Sequence, residues 1–400
     1  MTPIYLDHNA STPTEPSVIE ATMRAMVELW ANPSSSEHSA GSAAAAAVEK
    51  ARESIATTIN CRAKEVVFCS GSTEANNLAL FGSIAALKSR GKHHVVTTAI
   101  EHPSILACLD QLKTDGAEVT IVPVGATGRV KTADVMAAIR PDTGLVSVMA
   151  ANNETGVCQP IEAIGALCTE SGVLFHTDYS QATAYRTLDV EKANVNLASF
   201  SGHKMYGPKG VGALYASLRK PRVRLEPVLH GGGQERGLRS GTLNTPAIVG
   251  LGRAFDEVRR RRAADAQSLT KLRSRFIQGI TAIPGAKLNG DQRDTLPNTV
   301  SISIEGIEPL ALMHTLKKEL TFSASSACST DKVESSHVLR AMYGEGPRTK
   351  EAFRIGMGRS TTEAQIDFAI AAFVSGVDRL RTGRLGSLSI ERIPDATIVN

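Results

Sequence analysis

Lys204 has the most chemically specific setting in the chain. It lies in Ser201-Gly202-His203-Lys204-Met205-Tyr206-Gly207-Pro208-Lys209-Gly210, directly after an apolar run and ahead of a glycine-rich turn. A lysine amine placed at the end of a strand can condense with an aldehyde. One crossover upstream, His176-Thr177-Asp178-Tyr179-Ser180-Gln181 closes another apolar run. Asp178 there can hold a proton on a ring nitrogen, and Gln181 can hydrogen-bond a ring hydroxyl. Further upstream, Ser70-Gly71-Ser72-Thr73-Glu74-Ala75-Asn76-Asn77 ends a strand and opens a helix. Free amides at a helix N-terminus form an anion site, with Thr73 as its main side-chain ligand and Ser201 and His203 completing the cradle from the lysine loop. The segment is not a Walker loop, because no Gly-x-x-x-x-Gly-Lys-[Ser/Thr] order is present. An aldehyde-holding lysine, a carboxylate for a ring nitrogen and a phosphate cradle are together what pyridoxal phosphate requires.

Glu101-His102-Pro103-Ser104 also follows an apolar run. A histidine there can stack on the cofactor ring and carry protons between substrate carbons, although a strand-end histidine by itself is more often a capping or packing residue. Asn152-Asn153-Glu154-Thr155-Gly156 carries the same ambiguity between site residue and ordinary turn.

The elements that must position these residues are legible as a rhythm. Between about residues 64 and 216, apolar runs alternate with amphipathic helical stretches: 66–69, 94–98, 119–124, 145–150, 173–177, 197–201 and 211–215. Such runs, buried on both faces and separated by helices, predict an α/β domain built on a mainly parallel seven-stranded sheet, in which ligands gather at the carboxyl ends of the strands. Every residue chosen above follows one of those runs. After about residue 250 the pattern becomes long charged helices, a run at 299–304, a helix over 309–320, a run at 353–357 and a last helix, predicting a smaller α+β domain. The expected division is a large domain over 15–250, a small domain from 1–14 with 251–380, and a peripheral tail over 381–400.

Four hundred residues exceed the size at which one core stops growing, roughly 250 to 300. Hydrophobic residues at 42% and charged residues at 21% are ordinary for a globular protein, and no apolar run is long enough to span a bilayer. The N-terminal residues lack the basic and apolar regions of a secretory signal, so the expectation is a cytoplasmic protein with reduced cysteines. The six cysteines form no Cys-x-x-Cys pair and no histidine-spaced cluster, which gives a metal site no support. A net charge of +4, with only 4% aromatic residues, argues against direct nucleic-acid binding, and Arg259 to Arg262 read as a solvated helix face beside Asp256, Glu257 and Asp265.

Taken together, these segments resemble the class-V aminotransferase fold, and within it the cysteine desulfurases of the NifS/IscS type, from about residue 4 to 380. The resemblance is carried by Tyr5-Leu6-Asp7, Asn32-Pro33-Ser34, the Thr73, His102, Asn153, Asp178 and Lys204 segments, His230-Gly231-Gly232-Gly233-Gln234-Glu235, Arg239-Ser240-Gly241-Thr242, the Cys328 segment and Arg354. It implies a pyridoxal-phosphate-dependent aminotransferase-like fold and a homodimer. It also implies that Lys204 carries the cofactor, that Asp178 and Gln181 hold its ring, that His102 stacks on it, and that Asn153 lies near the ring hydroxyl and the substrate. Thr242 would reach the phosphate held by the other subunit.

Phe322-Ser323-Ala324-Ser325-Ser326-Ala327-Cys328-Ser329-Thr330 is small and polar, with one cysteine ahead of Val338-Leu339-Arg340. A lone cysteine is more often a buried structural residue. The resemblance instead implies a nucleophile on a long loop: Arg354 binds the carboxylate of L-cysteine, Cys328 takes the substrate sulfur as a persulfide for an acceptor protein, and alanine is left. Acceptors of related donors serve iron–sulfur assembly, tRNA thiolation and DNA phosphorothioation, and the Cys328 segment and tail most resemble the last group. Ser11 stands where the family commonly has threonine, and Tyr343 where it has glycine. The alternatives are a selenocysteine lyase or an aminotransferase on the same fold, in neither of which Cys328 is required, and a catalytically quiet binding platform.

Overall fold

Valine-rich runs such as Val66-Val67-Phe68-Cys69 bury every residue, as strands covered by helices on both faces must. The computed structural model describes residues 2–220, 222–325 and 335–383, with the backbone of two short strands at 328–329 and 332–333. In chain order the elements begin with β1 (Ile4–Tyr5), α1 (Pro16–Glu28), α2 (Ser39–Ile59), β2 (Val66–Cys69), α3 (Ser72–Lys88), β3 (His94–Thr98), α4 (Pro103–Thr114) and β4 (Glu118–Val122). They continue with α5 (Thr132–Ala138), β5 (Thr143–Ser147), α6 (Ile161–Glu170), β6 (Leu174–Asp178), β7 (Leu197–Ser201), β8 (Gly212–Ala216) and α7 (Thr245–Ile280). The remainder is β9 (Ala286–Leu288), β10 (Thr299–Ile304), α8 (Pro309–Leu316), β11 (Leu320–Thr321), β12 (Ser323–Ala324), β13 (Cys328–Ser329), β14 (Lys332–Val333), α9 (His337–Tyr343), α10 (Pro347–Lys350), β15 (Ala352–Gly356) and α11 (Glu363–Thr382).

A seven-stranded sheet has the order β2-β8-β7-β6-β5-β3-β4. All neighbouring pairs are parallel except those of β8, which runs antiparallel to β2 and to β7. The fold is therefore the α/β fold expected, with one reversed strand. β4 is at the edge and is exposed at Glu118 and Ile121, so its alternation differs from the fully buried strands.

The second sheet, in the order β12-β15-β10-β9, is antiparallel. The sequence predicted one helix over 309–320, but α8 stops at Leu316 and Leu320 starts β11, which pairs with β1. That pairing brings the N-terminal segment onto the second sheet, and Asp7 bridges to Gly356 of β15. α7 joins the two layers. Its first half packs on α1 and α2, and its last half lies under α11, where Phe276 meets Phe373 edge-on with ring centroids 5.9 Å apart. The expected boundary at residue 250 falls inside this helix.

Tyr343 fills a structural role. Its ring lies under the Arg348 guanidinium at 3.8 Å, its hydroxyl accepts the Gly290 amide at 2.8 Å, and the helix-ending glycine stands one place later as Gly344 with φ +74°.

One glycine governs the approach of strand to helix. A Cβ at Gly212 would sit 2.4 Å from the Phe200 carbonyl oxygen and 2.7 Å from the Gly71 Cα, both rigid backbone atoms. Gly212→Ala is therefore expected to cost about 1 to 3 kcal/mol of stability, as overpacking does. It should also push the start of α3 outward. A lower urea midpoint together with weaker pyridoxal phosphate affinity checks this; wild-type affinity would show that the start of α3 does not depend on this packing.

Candidate active site

The carboxyl ends of β3, β5, β6 and β7 face one region, where the second sheet and the N-terminal segment meet them. Lys204 ends a short 3-10 turn over Gly202–Lys204, immediately after β7. Its Nζ donates to the backbone carbonyl of Asn9 at 2.6 Å, and Gln181 Nε2 donates to the same carbonyl at 2.9 Å. The Lys204 amine is pulled down to about 8, first by burial and then by the positive charge of Arg354, against the opposing pull of Asp178 and Asp7. More of the neutral amine, the form that attacks a carbonyl, is therefore present near neutral pH than in an ordinary lysine.

Asp178 is the last residue of β6 and is buried. Its Oδ2 accepts from Asn76 Nδ2 and its Oδ1 from the Ser180 amide, each at 2.9 Å. Asn76 also donates to Ser104 Oγ at 2.9 Å, linking Asp178 to the turn that carries His102. His102 caps α4: its Nδ1 accepts the Ser104 amide at 3.1 Å, so the proton of the neutral ring is on Nε2. Burial, chiefly, lowers its pKa; Asp178 raises it, and Lys204 and His337 lower it further. The charges of Lys204 and Asp178 thus both reach the His102 ring.

The anion cradle forms at α3. Gly71 precedes the helix, and the first-turn amides of Ser72, Thr73 and Glu74 have no earlier helical carbonyl to bond. Ser201 Oγ lies 3.9 Å from the position a Cβ would take at Gly71. Thr73 is exposed at the rim. His203 sits with its Nδ1 3.3 Å from Ser11 Oγ, and its ring is lowered to about 4, by burial first and then by Lys204 and Lys209. It is therefore neutral in the protein.

Arg354, on β15, is held by three groups. Nη2 donates to Asp7 Oδ1 at 2.8 Å and to Ser323 Oγ at 3.3 Å, and Nη1 donates to the Asn153 carbonyl at 3.2 Å. Among the described residues its buried Nε has no partner. The Asn153 turn is fixed by Asn152, whose Oδ1 accepts the Glu154 and Thr155 amides at 2.9 Å and whose Nδ2 donates to the Ile100 carbonyl at 3.0 Å.

Thr242 is not brought to this cluster; it is exposed on the segment that Arg239 ties to Glu74 at 2.7 Å. The Cys328 side chain lies outside the described residues, and its backbone pairs with Val333. Sequence reasoning gave no role to Asn9, Asp7, Asn76, Glu154 or Ser336. Asn76 had a signal, since it lies one turn after Thr73 on the same helix. Asn9 had none, because its carbonyl reaches Lys204 through the tertiary fold alone.

Pyridoxal phosphate fits these groups. A depressed lysine amine, a buried carboxylate with two well-placed donors, a neutral histidine and a free helix N-terminus surround one space. Beside Asp178, which their nitrogens contact, the buried Asn76 Oδ1 and Ser180 Oγ have no partner among the described residues.

Residues 4–368 match the family described as Aminotransferase class-V. The cysteine desulfurase IscS of Methylococcus capsulatus (strain ATCC 33009 / NCIMB 11132 / Bath) is 43% identical over 379 residues, covering 95% of this chain and 93% of that protein. The chain belongs to the class-V aminotransferase family, among its cysteine desulfurases. Solved structures of the family superimpose closely. A NifS-like protein, 35% identical, gives a TM-score of 0.87 over 94% of this chain and 100% of that one. DndA from Streptomyces lividans, also 35% identical, gives 0.76 over 88% and 99%. Membership of this family makes the chain a pyridoxal-phosphate-dependent enzyme. No described helix is long and apolar enough to cross a membrane.

The depressed Lys204 amine has a measurable signature. The rate at which cofactor-free protein captures pyridoxal phosphate should rise with pH through about 8, where the Lys204 amine loses its proton. Arg354→Gln removes a cation that lowers this pKa and should move the rise to higher pH. A capture rate that climbs only in the ordinary lysine range, near 10.4, would contradict the depressed amine.

Proposed function

We propose that this desulfurase converts L-cysteine to L-alanine with Lys204, Arg354, His102 and Cys328 in direct roles and passes the sulfur to an acceptor protein as a Cys328 persulfide. The observation that carries the reading is Lys204 and Arg354 facing one space at the strand ends, one a depressed amine and the other a guanidinium suited to a carboxylate. Pyridoxal phosphate, when bound, supplies the electron sink that makes bonds at the substrate α-carbon labile.

The chain's residues supply the rest. Lys204 attaches the cofactor, Asp178 holds a proton on its ring nitrogen, and Gln181 and Asn153 border its hydroxyl side. Thr73, Ser201 and His203 border the phosphate. Arg354 orients the substrate carboxylate, and its bond to Asn153 fixes the guanidinium plane. His102, with its proton on Nε2, and Lys204 move the proton at the substrate carbons. The Cys328 thiolate forms an S–S bond to the substrate sulfur as the C–S bond breaks, and a proton adds to the carbon left behind. The products, alanine and enzyme persulfide, balance cysteine and enzyme thiol.

The other cysteines support this assignment. Cys69, Cys108, Cys158 and Cys168 are buried. Burial raises every one of the five described thiols: to about 12 at Cys61 and Cys168, to about 11 at Cys108 and Cys158, and well above the usual range at Cys69. Thiols so raised are poor nucleophiles near neutrality.

The same reading makes the enzyme a homodimer, with Thr242 of one subunit at the phosphate of the other. Thr242 is exposed, and α1 and the residue pair after it present an apolar row of Ile19, Met23, Met26, Val27 and Trp30 to solvent. The chain divides into a large cofactor-holding domain over 15–250 and a small domain from 1–14 with 251–380. The antiparallel sheet and the β1–β11 pairing support the second of these. Sequence identity to the NifS-like protein and to DndA is the same, so direct sulfur transfer to purified acceptors is what selects among iron–sulfur, tRNA and phosphorothioation partners.

The reading is tested by anaerobic turnover of L-cysteine with dithiothreitol present to reduce the persulfide to sulfide, with alanine and sulfide quantified together. Wild type should yield both in equal amounts and Cys328→Ser neither. Alanine formation that persists in Cys328→Ser would favour an aminotransferase or lyase reaction that does not use Cys328. Arg354→Ala should raise KM, on the order of 2 to 5 kcal/mol for a truncated buried charge. An unchanged KM would remove Arg354 from substrate binding.

A further inference from the structure

The segment that carries Cys328 is bonded at both ends to groups around Arg354. At its start, Ser323 of β12 lies opposite Arg354 in register and donates its hydroxyl to Asp7 Oδ2 at 2.8 Å, while Asp7 Oδ1 accepts from Arg354. At its end, Ser336 caps α9 by accepting the Leu339 amide at 3.0 Å and donates its hydroxyl to Glu154 Oε2. Glu154 adjoins Asn153, whose carbonyl accepts from Arg354. The next residue, His337, places Nε2 2.9 Å from the Glu101 carbonyl, just before His102.

Capping does not account for Glu154. The Ser336 oxygen satisfies Leu339 without help, and Glu154 is 8% exposed, so its carboxyl group is carried at a desolvation cost. Burial moves its pKa up to about 7, against the hydroxyl of Ser336 and the charge of Arg354. What the bond adds is a tie between the Asn153 turn and the point where the Cys328 segment rejoins the fold.

We propose that the Ser323–Asp7 and Ser336–Glu154 bonds form a two-point clamp that fixes both ends of the Cys328 segment relative to Arg354. Asp7 and Glu154 are thereby positioning residues for the transfer of sulfur from the bound substrate to Cys328. The proposal rests on the reading of Cys328 as the sulfur acceptor. It assigns the reach of that cysteine to contacts made at the substrate-carboxylate site. A substrate oriented by Arg354 and a segment tied at Ser323 and Ser336 to groups around Arg354 then share one reference point.

The test compares Glu154→Ala with Glu154→Gln in pyridoxal-phosphate-loaded protein. Glutamine keeps an oxygen that can accept from Ser336; alanine does not. Readouts are kcat and KM for alanine formation, the cofactor absorbance, and the rate at which iodoacetamide alkylates Cys328 without substrate, followed by peptide mapping. Glu154→Ala should lower kcat by about 10-fold or more, since small misplacements of a reacting group carry such costs, with KM within about twofold and Glu154→Gln recovering to within about threefold of wild type. The cofactor absorbance should not change, and Cys328 should alkylate faster in Glu154→Ala as its segment is released.

Wild-type kcat and alkylation in Glu154→Ala would overturn the clamp. So would a rise in KM alone, which would make Glu154 a substrate-site residue, or equal damage in both variants, which would make its charge the operative property. If Glu154→Ala does not fold, Ser336→Gly removes the hydroxyl that reaches Glu154 at little cost to the helix cap, and the same criteria apply to it. Alkylation needs no turnover. A changed alkylation rate in a protein whose wild type forms no alanine would therefore support the clamp while failing the desulfurase reading.

Discussion

Two cations, Lys204 and Arg354, share one largely desolvated space, and the site is organised around that burden. Neither is far enough from the other to ignore its charge: Arg354 helps depress the Lys204 amine, while Asp7 and Asp178 pull it the other way. A low local dielectric makes each of these terms larger than it would be at the surface. The balance leaves the Lys204 amine easier to neutralise than an ordinary lysine, beside the Arg354 guanidinium. Such a pair suits the proposed roles, a guanidinium for the substrate carboxylate beside an amine for a carbonyl. More carboxylate charge at this point would raise the Lys204 amine back toward its ordinary value and leave less of it neutral.

The fold meets this constraint by bringing three layers to one point. β6 and β7 present Asp178 and Lys204 at their carboxyl ends, β15 of the second sheet presents Arg354, and the N-terminal segment threads between them with Asp7 and Asn9. Asn9 is fully buried, and its side chain donates to Thr299 Oγ1 at 2.8 Å, so the carbonyl that meets Lys204 and Gln181 is fixed from the second sheet. The site is therefore shared between the two sheets and belongs to neither alone. A relative movement of the sheets would alter the spacing of Lys204 and Arg354 directly.

Much of this arrangement was legible in the sequence because it rests on local pattern. Apolar runs followed by Asp178, Lys204, His102 and Thr73 mark strand ends, and strand ends in an α/β sheet converge. Strand direction was less legible. The run at Gly212–Ala216 is as apolar as its parallel neighbours, and its reversal is signalled only by the short stretch after Lys204, which leaves no room for a crossover helix. α8 ends four residues before the helix-forming composition at 317–320 does, because the pairing of Leu320 with Ile4 is a contact between residues 316 positions apart that no local pattern shows. Asn9, Glu154 and Ser336 were hidden for the same reason. Their partners are far away in sequence, and nothing in an asparagine carbonyl or a serine hydroxyl announces a tertiary bond.

The central claim, that sulfur leaves the substrate onto Cys328 at a site built by Lys204 and Arg354, is most directly tested by locating that sulfur. Holoenzyme mixed briefly with L-cysteine under anaerobic conditions, then digested and mapped by mass spectrometry without reductant, should carry one added sulfur on the peptide containing Cys328. In a separate sample without L-cysteine, borohydride-reduced cofactor should map to Lys204. Added sulfur on Cys61 or another cysteine instead, or alanine release with no sulfur added to any cysteine, would contradict the account.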